Sequence, residues 1–198
     1  MTIPPAALVV VAYLLGSISF AVLLVRATTG TDIRAEGSGN PGATNVLRGH
    51  GKKLAVLVAL ADVAKGAVAV LLMRLVTADP AWSAAAGAAA VLGHVFPVFY
   101  GFRGGKGVAT AVGAFLVLAP LAALCCLAVF ILVVALTRYV SLGSVIAMVL
   151  LPPVAGLLFR APRPVVMAAS LTALVVVVKH LGNLKRLAAG QERKLGAK

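Results

Sequence analysis

The stretch Val108-ATAVGAFLVLAPLAALCCLAVFILVVAL-Thr137 decides the fold. It runs for 30 residues without a charged side chain. One crossing of a hydrocarbon core about 30 Å thick takes about 20 residues. The run is therefore too long for one straight crossing and short for two. Pro120 lies inside it, where a helix loses a backbone hydrogen bond and kinks or stops. Gly104-Gly105-Lys106-Gly107 precedes the run and Arg138-Tyr139 follows it. Both basic flanks fall on one side only if the chain crosses twice, with a split near Pro120. The first half is then short and must be shielded by neighbouring helices.

Working outward, further apolar runs cover Pro5 to Val25, Leu54 to Val76 and Trp82 to Tyr100 upstream, and Ser141 to Phe159 and Val165 to Val178 downstream. Arg160-Ala161-Pro162-Arg163-Pro164 reads as a turn between the last two. The sum is an all-α, polytopic transmembrane bundle of about seven spans, one domain over residues 1–198. The first run lacks a basic leader and an AxA-like cleavage site and is expected to be retained. Composition agrees: 62% of the 198 residues are hydrophobic and 12% are charged, with a mean hydropathy of +1.08. A soluble domain carries about twice that share of charge.

The 18 Lys and Arg against five Asp and Glu give a formal charge of +13. Seven spans with the N-terminus outside put Arg26, Arg34, Arg48, Lys52, Lys53, Arg103, Lys106, Arg138 and the tail cations from Lys179 onward in the cytoplasm. Arg74, Arg160 and Arg163 fall outside, the last two poor fits to the bias; taking 108–137 as one crossing is the alternative, which would reverse everything downstream and place the basic tail outside. That bias orients the chain with its N-terminus outside and its C-terminus cytoplasmic. It also favours anionic lipids and anionic substrates. A nucleic-acid role is not expected, because no soluble module remains to carry it. Cys125 and Cys126 are adjacent, and no His/Cys spacing suits a metal, so neither metal nor cofactor is expected.

Four polar constellations interrupt the apolar pattern. Gly37-Ser38-Gly39-Asn40-Pro41-Gly42-Ala43-Thr44-Asn45 turns tightly and can expose successive N–H groups as an anion nest. Ser38, Asn40, Thr44 and Asn45 add neutral donors, and Arg48 adds a planar fork suited to phosphate. A solvated loop with Thr44 or Asn45 as a helix cap is the bland alternative. Gly104-Gly105-Lys106-Gly107 opens a helix, where glycines admit a phosphate and Lys106 supplies charge. It is not a Walker A loop: Tyr100 stands where that motif needs Gly, and Gly107 replaces its Ser/Thr. Arg138-Tyr139-Val140-Ser141 reads as a helix start with Ser141 a possible N-cap. His180 and Asn183 share a helical face with Arg186 near it. Asp62 and Lys65, within a span, read as an internal ion pair, and His50 and His94 as structural or interfacial residues. All four constellations lie on one membrane side. The residues describe a site that holds phosphate groups beside an apolar phase.

At these motifs the sequence resembles the bacterial acyl-phosphate:glycerol-3-phosphate acyltransferases, the PlsY family. The resemblance rests on the Gly37–Asn45 motif, Gly93-His94 through Gly104–Gly107, Arg138 through Leu142, and His180-Leu181-Gly182-Asn183. It implies transfer of an acyl group from a long-chain acyl phosphate to the 1-hydroxyl of sn-glycerol 3-phosphate, releasing lysophosphatidate and phosphate. It also implies a donor supplied by the soluble phosphate acyltransferase PlsX and work among membrane lipids; a monomer is the expectation, with the oligomeric state left open by the sequence. Ser38, Lys106, His180 and Asn183 are expected as catalytic residues. Gly39, Asn40, Thr44, Asn45, Arg48, Gly104, Gly105, Gly107 and Ser141 are expected to bind substrate. His180 is either a general base or a hydrogen-bond donor in a reaction whose proton goes to a substrate phosphate. A Ser38 acyl-enzyme is disfavoured, since the donor is already activated and no base adjoins Ser38 in sequence. A carrier for a phosphorylated anion is the competing class.

Overall fold

The computed structural model describes residues 3–196. Among them every regular element is helical. The helices are α1 (Pro5–Gly16), α2 (Phe20–Thr29), α3 (Ala43–His50), α4 (Lys52–Arg74), α5 (Pro80–Val95), α6 (Val108–Leu118), α7 (Pro120–Thr137), α8 (Val140–Pro153) and α9 (Arg163–Ala188). Six segments are long and apolar enough to cross a membrane, and α6 is a seventh, shorter apolar helix.

The long uncharged run divides at Pro120, as its sequence demands. Helix α6 ends at Leu118 and α7 starts at Pro120. At 1.5 Å per residue α6 is only about 16 Å long, half a hydrocarbon core. Its neighbours supply the shielding: Thr110, Ala111, Gly113, Ala114 and Phe115 are buried. Helix α4 comes closest. A Cβ built on Gly113 would lie 1.8 Å from the Val63 carbonyl oxygen, and one on Gly66 would lie 2.1 Å from that of Thr110. Backbones of α4 and α6 therefore touch directly, the small-residue contact that drives helix association in lipid. Helices α1 and α5 repeat this, with Gly16 against Ala90 and Gly93 against Tyr13.

The structure corrects three boundaries. The first run is broken at Ser17–Ser19 into α1 and α2. Polar groups freed by the break find partners: Lys65 Nζ donates to the Ile18 carbonyl at 2.7 Å, and the Val98 N–H donates to Ser17 Oγ. Lys65 also pairs with Asp62 at 2.8 Å, and His94 Nδ1 lies 3.5 Å from the same carboxylate. The pair is internal, as expected, and it also braces the broken helix. Ser141 is not an N-cap; Tyr139 holds that place and Ser141 lies within α8. The last span continues past Val178 to Ala188 and so carries His180 and Asn183 on ordered helix.

Outward faces of α1, α4, α7 and α9 expose large apolar side chains, among them Val10, Leu60, Leu132 and Leu174. These suit contact with lipid tails. Gly113→Ala is expected to cost about 1–3 kcal/mol through overpacking against Val63, lowering the unfolding midpoint in detergent. Gly182→Ala, where the nearest atom is 3.7 Å away, should leave the midpoint near that of the parent. An unchanged midpoint for Gly113→Ala would contradict the direct α4–α6 contact.

Candidate active site

One cavity of about 1270 Å³ collects the polar constellations at one end of the bundle. Typical small-molecule pockets are about 300–1,000 Å³, so there is room for more than one substrate. Its mouth is formed by the Ser38 loop, the Lys106 segment, the start of α8, the end of α9 and the C-terminal tail. From there it runs into the bundle between α6, α7 and α8, past Phe115, Cys126, Phe130, Ala147 and Met148. The mouth is cationic and the arm is apolar.

The start of α6 and the end of α7 meet at this mouth. Lys106 Nζ donates to Asn183 Oδ1. Asn183 Nδ2 in turn donates to Glu192 Oε1 at 2.6 Å, and Ser141 Oγ donates to the same oxygen at 2.8 Å. This linked chain places the two ends of the α6–α7 pair on one side, so the long uncharged run turns back at Pro120.

The glycine-rich segments work differently from the expectation. The N–H groups of Gly104 and Gly105 donate to the carbonyls of Val95 and His94, so neither is open to a phosphate. Gly105 does not line the cavity; a Cβ there would meet His94 Nε2 at 2.1 Å. These glycines let the segment pack on the end of α5, where His94 leans on Asp62. The open donors are the first N–H groups of α6, beyond Gly107 at φ +86°, and the Lys106 ammonium. Burial pushes the Lys106 pKa down to about 8, against the opposing pull of Glu192.

The Ser38 loop is likewise tied from within. The Ser38 N–H donates to Asn45 Oδ1, and Asn45 Nδ2 donates to the carbonyls of Ile33 and Glu36. Asn45 is buried and lines the cavity, and both hydrogens of its amide are committed to the loop, so none is left to donate to a phosphate. A side chain at Gly37 would strike that amide at 2.4 Å, and φ at Gly37 is +58°. The Gly39 N–H donates to Glu36 O, so Ser38 and Gly39 do not form an open nest. Ser38, Asn40, Thr44 and Arg48 line the cavity, with the Arg48 guanidinium donating to Arg193 O.

His180 is buried and lines the same cavity. Its Nδ1 lies 2.8 Å from the Val176 carbonyl. A carbonyl only accepts, so Nδ1 carries the proton and Nε2 keeps a lone pair. Sequence reasoning missed Glu192. Its signal was that of the only carboxylate in a basic tail.

With this geometry in place, the relatives are informative. The family model described as glycerol-3-phosphate acyltransferase matches residues 6–190. The chain belongs to the glycerol-3-phosphate acyltransferase family. It is 51% identical over 192 residues to the glycerol-3-phosphate acyltransferase of Geobacter sulfurreducens, covering 96% of this chain and 97% of that one. The Clostridioides difficile enzyme of the same description is 48% identical, covering 96% and 94%. Among solved structures, the glycerol 3-phosphate form of PlsY, an integral membrane acyltransferase, superposes with a TM-score of 0.91 at 39% identity, covering 97% and 96%. Its lysophosphatidic acid form gives 0.88 at 37% identity, covering 97% and 95%. The chain is thus an integral membrane acyltransferase, and the carrier reading falls.

Two outcomes follow for the mouth. Sulfate keeps its double charge between pH 7 and 9.5, so its binding reports the protein's own titration. Lys106 is cationic below its pKa and neutral above it. Sulfate affinity should therefore weaken as pH rises through about 8, read by calorimetry in detergent; a flat affinity to pH 9.5 would contradict this. Asn45→Ala should leave the Ile33 and Glu36 carbonyls without that donor and the Ser38 N–H without its acceptor. A loss of about 1–3 kcal/mol in stability is expected, and an unchanged unfolding midpoint would return Asn45 to direct substrate contact.

Proposed function

We propose that the chain transfers the acyl group of a long-chain acyl phosphate to the 1-hydroxyl of sn-glycerol 3-phosphate, giving lysophosphatidate and phosphate. The observation that carries this is one continuous cavity with a cationic mouth and an apolar arm. Two phosphates need the mouth and one acyl chain needs the arm. The solved relative's glycerol 3-phosphate and lysophosphatidic acid forms support acceptor and product. The soluble phosphate acyltransferase PlsX supplies the donor. The mouth faces the cytoplasm of the bacterial inner membrane, in line with the clustering of basic residues. In this reading the enzyme acts as a monomer.

In the reaction the glycerol hydroxyl oxygen attacks the acyl carbon, and the bond from that carbon to the phosphate oxygen breaks. The departing phosphate takes the electron pair and then the hydroxyl proton. An acyl phosphate is a mixed anhydride and needs little help in leaving. The protein's task is alignment and charge stabilisation. Lys106, Arg48 and the first N–H groups of α6 neutralise phosphate charge. Ser38, Gly39, Asn40 and Thr44 border the phosphate nearest the loop, Gly104 and Gly107 shape the approach to Lys106, and Ser141 and Asn183 frame the acceptor. His180 Nε2 accepts a hydrogen bond from the attacking hydroxyl and orients it. Among the described residues its Nδ1 is held by a backbone carbonyl and not by a carboxylate, which favours phosphate over His180 as final proton acceptor.

Purified protein mixed with palmitoyl phosphate and glycerol 3-phosphate should release phosphate and form lysophosphatidate only when both are present, with palmitoyl-CoA inert. Folded protein that releases no phosphate would overturn the reading. His180→Ala should lower kcat by roughly ten- to hundred-fold, the worth of an orienting hydrogen bond. A loss beyond about 10³-fold would mark a general base, and near-normal turnover would remove both roles.

A further inference from the structure

The C-terminal tail reaches back across the mouth and delivers one carboxylate into it. Helix α9 ends at Ala188, and the chain turns at Gly190 with φ +67°. The tail is pinned on both sides of Glu192. The Gln191 N–H donates to the Arg186 carbonyl at 2.7 Å, and the Leu195 N–H donates to the Arg138 carbonyl at 2.7 Å. The Arg138 guanidinium donates back to Leu195 O at 2.8 Å, and Lys194 lies over the Tyr139 ring. Between these anchors the Glu192 side chain is 6% exposed. Its Oε1 accepts from Ser141 Oγ and Asn183 Nδ2, and its Oε2 accepts from Arg186 Nε at 2.9 Å.

We propose that Glu192 is a positioning residue of the active site: its carboxylate locks Ser141 of α8 and Asn183 of α9 into working geometry, and through Asn183 it aims Lys106. This rests on the reading given under Proposed function. Glu192 touches no reacting atom. It acts by fixing the rotamers of groups that would. With Nδ2 bound by Glu192, Asn183 must present Oδ1 to the ammonium, the one orientation that holds Lys106 from a neutral acceptor. A neutral acceptor leaves the positive charge available to a phosphate, where a direct carboxylate partner would consume it. Held one residue away, the Glu192 charge still supports the ammonium. Lys106 is otherwise surrounded by Arg48 from α3 and by Lys179 and Arg186 from α9, each of which disfavours its charge. His180, also on α9, carries its Nδ1 proton toward Val176. Glu192 is the one acid acting on Lys106 from that shell.

The two-sided anchoring separates this from a removable plug. A plug is displaced when phosphate arrives, and its loss speeds the enzyme. A lock is retained, and its loss slows it. The test is the pH profile of kcat/KM for glycerol 3-phosphate, with saturating palmitoyl phosphate, for the unaltered enzyme, Glu192→Gln and Glu192→Asp. Size-exclusion profiles in detergent verify folding.

Glu192→Gln keeps the shape and removes the charge. It should lower kcat/KM roughly tenfold or more. It should also move the alkaline limb, where Lys106 loses its proton, to lower pH by roughly half a unit or more. The sign follows because removing a neighbouring negative charge destabilises the ammonium. Glu192→Asp keeps the charge but withdraws it by one methylene. It should restore the limb while kcat stays reduced. A merely structural tail would lower the yield of folded protein without moving the limb. Faster turnover in Glu192→Gln, or an unmoved limb with full activity, would overturn the proposal and leave the acyltransferase reading standing. Absence of turnover in the unaltered enzyme would overturn both.

Discussion

The mutual repulsion of cations at the edge of an apolar phase is the constraint on which the rest of the structure depends. Arg34, Arg48, Arg103, Lys106, Lys179, Arg186 and Arg193 all line one cavity. Of the three acids that line it, Asp32 is bound to Arg34 at 2.6 Å and Asp62 to Lys65 at 2.8 Å. Among the described residues only Glu192 is left to face the remaining cations. A low-dielectric neighbourhood strengthens that repulsion. The mouth is therefore a standing demand for anions, which the glycerol 3-phosphate and acyl phosphate of the proposed reaction would meet. Burial, with the neighbouring cations adding to it, brings the Lys106 pKa down to about 8, which keeps its charge useful at neutral pH.

Rigid placement of those cations falls to backbone contacts made without side chains. Gly66 and Gly113 press α4 and α6 together, and Gly104 and Gly105 seat the Lys106 segment on the end of α5. Behind that seat, His94, Asp62 and Lys65 form a buried polar spine that also closes the break between α1 and α2. A short helix such as α6 cannot hold a charge at a fixed depth by itself. Packed on α4 and α5, it can.

Much of this was legible in the sequence. The uncharged run with Pro120 dictated a reversal, because the basic flanks would otherwise part company across the membrane. The polar motifs were read onto one membrane side, since apolar spans leave loops as the place for Arg, Asn and Lys, and one cavity collects them. What stayed hidden was which partner each donor would choose. Asn45 has the same hydrogen-bonding groups whether it faces phosphate or the Ile33 and Glu36 carbonyls, and only the loop's closure selects the latter. The N–H groups of Gly104 and Gly105 are equally silent until α5 lies beside them. The break at Ser17–Ser19 escaped because apolar residues continue on both sides. Glu192 escaped because a tail has no periodicity to betray a fold-back.

The central claim is that a cationic mouth and an apolar arm are one continuous site. Ala147 lines the arm and is buried. A bulky side chain there should shorten the arm without touching the mouth. The most direct measurement is the acyl-chain-length profile of Ala147→Phe, with kcat/KM determined for acyl phosphates from eight to eighteen carbons. The account predicts a shift of preference toward shorter chains, with the KM for glycerol 3-phosphate unchanged. An equal loss at every chain length, or a rise in that KM alone, would contradict it.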